Sequence, residues 1–167
     1  MYQVAVIPGD GIGPEQMEVA VRVLKVANEK LSLGLDFTSV DAGDRALKET
    51  GCALPHESVR VVKEADTSLK GPVGETAADV IVKLRQMLDL YANVRPIKAY
   101  PSVPSVRPDI DFTIVRENTE GLYKGMEFMA DPETAVCLRL ITRKGSERIA
   151  KYAFQIAQMR GRKRRVT

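Results

Sequence analysis

The sequence is poor in the groups that most often bind metals or staple small folds. Among 167 residues there are two cysteines and one histidine. Cys52 and Cys137 lie far apart, and neither belongs to a CxxC pair or a Cys/His cluster. That spacing excludes a thiolate metal site and a disulfide framework, and leaves two reduced thiols of the kind cytosolic proteins carry. The histidine, His56, follows Pro55 at a helix start, where it reads as a solvated first-turn residue without chemistry. No apolar run approaches the roughly 18 residues needed to span a bilayer. Tyr2 to Ile7 is too short for a secretory signal and is followed at once by glycine and aspartate, so the cytoplasm is the expected address. An excess of one charge is also missing: 25 basic against 22 acidic residues leave a net charge of +3, too small and too evenly spread to imply a nucleic-acid partner. The one basic run, Arg160-Gly161-Arg162-Lys163-Arg164-Arg165, has no interleaved aromatics and reads as a solvated turn. Neither nucleic acid nor membrane is an expected partner.

What remains is an ordinary soluble composition, with 44% hydrophobic, 28% charged and 5% aromatic residues, in a chain long enough to bury one sizeable core. Val4-Ala5-Val6-Ile7 is a buried strand ended by Pro8-Gly9-Asp10-Gly11. Pro14 suits a first helical position, and Met17, Ala20, Val21, Leu24, Ala27 and Leu31 recur at helical spacing, which predicts a helix over 14–31. Residues 35–40 read as a strand, 45–49 as a short helix stopped by Gly51, 55–65 as a helix and 67–70 as a strand entering the Gly71-Pro72-Val73-Gly74 loop. Thr76 or Asp79 is placed to cap a helix whose Val80, Leu84 and Leu88 form an apolar stripe. Residues 90–100 are extended, with Pro96 where a central ladder would be interrupted. The Pro/Ser-rich stretch 101–108 is the candidate crossing between lobes, 112–115 and 135–141 are strands, and 146–159 is a helix. Alternating strands and helices without an internal repeat predict an α/β fold with right-handed crossovers.

Gly9-Asp10-Gly11-Ile12-Gly13 follows a strand and opens a helix, but its spacing is G-x-G-x-G and not the G-x-G-x-x-G of dinucleotide-binding folds. A tight turn with positive φ and close helix packing accounts for these glycines. Arg85, Arg95 and Arg116 sit on three different segments, and an anion with two carboxylates needs planar, permanently charged donors of this kind. On composition alone, among 25 basic residues, they read as three unrelated surface arginines. The run Arg116-Glu117-Asn118-Thr119-Glu120-Gly121-Leu122-Tyr123 combines a strand end, polar groups, a turn glycine and a tyrosine that is either a proton donor or a packing residue.

Five blocks occur in order: Val6-Ile7-Pro8-Gly9-Asp10-Gly11-Ile12-Gly13-Pro14-Glu15, Leu69-Lys70-Gly71-Pro72, Leu84-Arg85, Leu88 to Pro96, and Val115 to Tyr123. Together they resemble the N-terminal half of the β-decarboxylating dehydrogenases, the isocitrate/isopropylmalate dehydrogenase family, over essentially the whole chain. The resemblance implies an α/β, isopropylmalate dehydrogenase-like two-lobe fold, truncated, and not a Rossmann fold. Residues 1 to about 99 would be the N-terminal share of the first, large lobe. Residues from about 100 onward would begin the second lobe, with dimer-interface elements.

The same resemblance implies a chemistry: NAD- or NADP-linked oxidative decarboxylation of a 2-hydroxy dicarboxylic or tricarboxylic acid, assisted by Mg2+ or Mn2+. Arg85, Arg95 and Arg116 match the family's substrate-carboxylate arginines, Tyr123 its proton-donating tyrosine, and Glu75 and Thr76 nicotinamide-side positions. Ile81, one turn before Arg85, matches a position that discriminates substrates. An aliphatic residue there favours 3-isopropylmalate, because an apolar wall leaves a third carboxylate undersolvated; isocitrate and homoisocitrate are the alternatives. The family's lysine and its metal-binding aspartates would fall beyond Thr167, so no metal ligand is expected in this chain. The expectation is an incomplete fragment, homodimeric as the family is, with a separate chain as the candidate source of the missing half, or else a catalytically silent folding or interaction fragment.

Overall fold

The structure, a computed structural model, describes residues 1–161 and 163–167. Of the basic run, Arg162 lies outside the described residues. The chain divides into two compact units, Met1–Leu84 and Arg85–Thr167.

The first unit is built on strand β1 (Tyr2–Ile7), which lies between β2 (Leu35–Ser39) and β3 (Thr67–Lys70), both parallel to it. A strand paired on both edges and covered on its faces has no solvated side, which is why Val4 to Ile7 is continuously apolar and wholly buried. Helix α1 (Gly13–Leu31) brings Met17 onto Val4 and Val6, with Val21, Leu35, Phe37 and Leu69 around them. Asn28 clamps the start of β2 by donating to the Leu35 carbonyl and accepting its N–H, each at 2.9 Å. Helix α2 (Asp44–Thr50) ends on Gly51, whose left-handed backbone lets its N–H reach the Leu47 carbonyl. Helix α3 (His56–Glu64) starts after Pro55 and buries Val62.

Two carboxylates hold the loops that follow the three strands. Asp10 accepts the N–H groups of Asp44 at 3.0 Å, Gly74 at 3.0 Å and Arg45 at 3.2 Å. Asp44 in turn accepts the Thr76 hydroxyl at 2.7 Å, the Thr76 N–H at 2.9 Å and the Glu75 N–H at 3.1 Å. The Thr76 hydroxyl above all, then the Thr76 and Glu75 amides, hold the Asp44 carboxyl below the usual aspartate range despite some desolvation. Two glycines make this possible. Gly9, at φ 76°, passes so near Pro72 that a Cβ would overlap its carbonyl, and Gly43, at φ 107°, leaves no room for a Cβ beside the Asp10 carboxylate.

After this loop the chain departs from the expected regular helix capped by Thr76 or Asp79. Ala78–Val82 is a π-helical turn, and only Lys83–Met87 (α4) is α-helical. Neither residue caps it: the Thr76 side chain is committed to Asp44, and Asp79 pairs with Lys83 at 2.8 Å. Val80 and Leu84 are buried, as the stripe predicts.

In the second unit β4 (Ala92–Lys98) pairs antiparallel with β5 (Asp111–Glu117), with Pro96 opposite Thr113. Among the described residues this ladder has two strands, so Pro96 sits on an edge and removes no central hydrogen bond. The Pro101–Pro108 stretch connects these two paired strands. A hairpin follows, β6 (Gly121–Asp131) and β7 (Thr134–Leu140), in which Met126 faces Leu138 and Phe128 faces Val136. β6 is absent from the sequence reading, and its interrupted register at Gly121/Met126, around Gly125 at φ 61°, explains why no clean alternation marks it. Helix α5 (Arg143–Met159) begins three residues before the expected Ser146, because Thr142 accepts the Gly145 N–H at 3.0 Å as its N-cap. It packs on β5, and Tyr152 meets Tyr91 edge to face at 6.2 Å.

Gly43→Ala is expected to lower stability by about 1–3 kcal/mol from backbone strain, before any displacement of Asp10 is counted. A urea unfolding midpoint at or above that of the parent would contradict the clasp.

Candidate functional site

The β4–β5 ladder decides which of the sequence-selected arginines meet. Asn93 lies opposite Arg116, and Arg95 opposite Ile114, so Asn93, Arg95 and Arg116 project from one face, the two arginines as diagonal neighbours. Arg95 donates from Nε to Asn93 Oδ1 at 3.0 Å, which steadies it toward Arg116. Arg116 donates from Nη2 to the Tyr123 hydroxyl oxygen at 2.6 Å, with its guanidinium 5.4 Å from the ring centre. Because that oxygen is the acceptor here, the phenolic O–H remains free to donate elsewhere. Both arginines are exposed and Tyr123 is half-buried. The face therefore presents two guanidinium forks and a proton donor to solvent.

Arg85 is half-buried on α4. Its neighbour Gln86 donates to the Tyr123 carbonyl at 2.6 Å, and the Leu90 N–H closes on the Arg85 carbonyl at 2.8 Å. The helix end carrying Arg85 is thus tied to the strand carrying Tyr123. In the first unit, Ile81 is half-buried on the π turn while its neighbour Val80 is in the core. Glu75 is exposed, and Thr76 is buried against Asp44.

The turn between β5 and β6 is organised by groups that sequence reasoning did not single out for a role. Glu117 accepts the Thr119 hydroxyl at 2.7 Å, the Glu120 N–H at 2.7 Å and the Thr119 N–H at 2.9 Å. Glu120 accepts the Thr142 hydroxyl at 2.6 Å and its N–H at 2.9 Å, joining the turn to the α5 cap. Arg148, from α5, binds both oxygens of Asp89 at 2.8 and 2.9 Å, the Thr119 hydroxyl at 2.8 Å and Glu117 at 3.6 Å. It also stacks 4.4 Å from the centre of the Tyr91 ring. Asn118 and Thr119 are buried in consequence, and the buried Asn118 Oδ1 and Arg148 Nε have no hydrogen-bond partner among the described residues. Burial pushes the Glu117 carboxyl up, but the hydrogen bonds from Thr119, Glu120 and Asn118 outweigh it and leave the group below its ordinary range. Glu120 is lowered chiefly by the Thr142 hydroxyl. Glu117 and Thr119 lie inside a motif the sequence does display, whereas nothing local marks Arg148.

Among the described residues no group of three or more His, Cys, Asp or Glu side chains could hold a metal ion, so a divalent cation does not fit a ligand set within them. No helix there is long and apolar enough to cross a membrane.

The family model for isocitrate/isopropylmalate dehydrogenase matches residues 3–167. The chain belongs to that family. The 3-isopropylmalate dehydrogenase of Methanothermobacter thermautotrophicus is 55% identical over 95% of this chain and 47% of its own length. That of Saccharolobus solfataricus is 51% identical over 97% of this chain and 48% of its own. The crystal structure of isocitrate dehydrogenase from Methylococcus capsulatus superposes with a TM-score of 0.85 at 37% identity, over 98% of this chain and 49% of that one. The chain therefore spans about half the length of the curated relatives it matches. Its family is one of dehydrogenases, and the chain has the isocitrate/isopropylmalate dehydrogenase fold that the ordered blocks implied.

Glu117 and Glu120 carry folded-state values below their ordinary 4.5, so on acidification the unfolded chain takes up protons first. Their contribution is complete above the ordinary glutamate range and is lost as pH falls through the lowered values. Glu117→Gln is expected to cost about 1.5–3 kcal/mol at neutral pH and to flatten the decline in unfolding free energy between about pH 6 and 3. An unchanged acid slope in urea titrations would contradict this assignment.

Proposed function

We propose that this chain supplies the carboxylate-binding and proton-donating part of a β-decarboxylating dehydrogenase acting on a malate derivative, with 3-isopropylmalate as the substrate. The observation that carries the reading is the shared face of Arg95 and Arg116, with the Tyr123 hydroxyl held by Arg116. Two planar cations at diagonal strand positions suit two carboxylates of one small acid, and Arg85 adds a third grip. Tyr123 gives its proton to the carbon left electron-rich when the β-carboxylate departs as carbon dioxide. The phenolate that results lies beside Arg116, whose charge stabilises it.

Ile81 supports isopropylmalate over isocitrate or homoisocitrate, since an aliphatic side chain offers nothing to a third carboxylate. Nicotinamide linkage, as NAD or NADP, and a requirement for Mg2+ or Mn2+ belong to the same proposal. The described residues hold no three-ligand cluster for such an ion. Glu75 is the proposed nicotinamide-side group, on a loop that Thr76 anchors. Residues 1 to about 99 are proposed as the share of the first lobe and the remainder as the start of the second, in a homodimer.

Calorimetric titration of the 167-residue chain with isopropylmalate, isocitrate and homoisocitrate, each with Mg2+ and NAD or NADP, tests the reading. Isopropylmalate is expected to bind most tightly, and Arg95→Gln or Arg116→Gln to weaken it by about 10–100-fold each. Preference for isocitrate would overturn the substrate, and indifference to both substitutions would overturn the site.

A further inference from the structure

Arg148 contacts both segments that carry the proposed substrate groups while carrying none itself. One segment runs from Arg85 through Asp89 to Tyr91; the other runs from Arg116 through Glu117 and Thr119 to Tyr123. The guanidinium spends one nitrogen on Asp89 and another on Thr119 and Glu117, and lays its plane against Tyr91. The contacts to Asp89 and Thr119, at 2.8–2.9 Å, are made from two nitrogens of one planar fork, which an ammonium cannot reproduce. The Arg148 side chain is 21% exposed, and the Glu117 side chain 20%. In so little water their charges are screened less than those of a surface pair. α5, which carries Arg148, is fixed in its turn by Thr142 and Glu120 and by its packing on β5.

We propose that Arg148 is a positioning residue: it sets the spacing between the Arg85 helix end and the Arg116–Tyr123 turn, and so fixes how the three arginines and the tyrosine meet a dicarboxylate. This rests on the proposed carboxylate site, and adds to it a residue that never touches the substrate. A guanidinium that crosslinks two ligand-bearing segments lowers the ordering cost of binding, because the segments are already set when the acid arrives. Asp89 sits at φ 48°, a conformation that asparagine also adopts readily, so Asp89→Asn removes the charge of this partner without new backbone strain.

The test uses the full chain with ring-13C tyrosine, the Tyr123 signal being assigned by Tyr123→Phe. Arg148→Lys and Asp89→Asn are each expected to move the Tyr123 signal, to leave that of Tyr2 in place, and to weaken isopropylmalate binding by about tenfold or more. Lysine does not rescue, and the double variant binds no more weakly than Arg148→Lys alone, because both changes break one link. A folded Arg148→Lys chain with parental Tyr123 signal and affinity overturns the proposal. So does a variant whose unfolding midpoint falls while both readouts stand, since that is a purely structural role. If Arg148→Lys does not fold, Asp89→Asn decides in its place. If the parent chain binds no dicarboxylate, the carboxylate site fails as a reading, and the Tyr123 signal alone still decides whether Arg148 positions the turn.

Discussion

A backbone N–H that leaves a strand or opens a helix must find an acceptor, and in this chain side-chain carboxylates provide it at the places that matter. Glu117 is the pivotal one. It gathers the donors of Thr119 and Glu120 into a tight turn, and that turn delivers the chain from β5, which carries Arg116, to β6, which carries Tyr123. Without that closure the 2.6 Å contact between Arg116 and the Tyr123 hydroxyl has no reason to form. The first unit uses the same device, with Asp10 and Asp44 stitching three loops beyond the ends of parallel strands. In both units acidic residues take structural work, and among the described residues Arg95 and Arg116 form no ion pair with a carboxylate.

That division of labour bears on function. The glycine-rich turn after β1 has the placement of a phosphate loop, yet its Asp10 N–H is taken by the Pro72 carbonyl and its Gly13 N–H by the Asp10 carbonyl. In the proposed function the anion-binding role belongs instead to side chains on the second unit, where charge is permanent and the donors are planar. A guanidinium pair next to a phenol is equipped to hold carboxylates and to deliver a proton, which is the chemistry the proposed function asks of this part of the chain.

Much of this was legible in the residues. The continuous apolar run of β1, the helical spacing of α1 and the glycine stop of α2 are local signals, and the structure follows them. The blocks around Arg85, Arg95, Arg116 and Tyr123 carried the family resemblance, and the family match covers the same residues. What escaped was either irregular or long-range. β6 breaks its alternation at Gly125, the turn at Ala78–Val82 widens to a π-helix with no composition that marks it, and Thr76 spends its hydroxyl on a partner far away in sequence. Arg148 escaped for the same reason: on a helix face it looks like any solvated arginine until the fold sets Asp89, Glu117 and Tyr91 around it.

In the proposed site Arg95 and Arg116 act as one carboxylate-binding face. The most direct measurement follows the Nε–H signals of these two side chains by 15N NMR during titration with isopropylmalate. Both signals are expected to move, saturating with a common midpoint. Movement of only one of them, or of neither while the acid binds elsewhere on the chain, would contradict it.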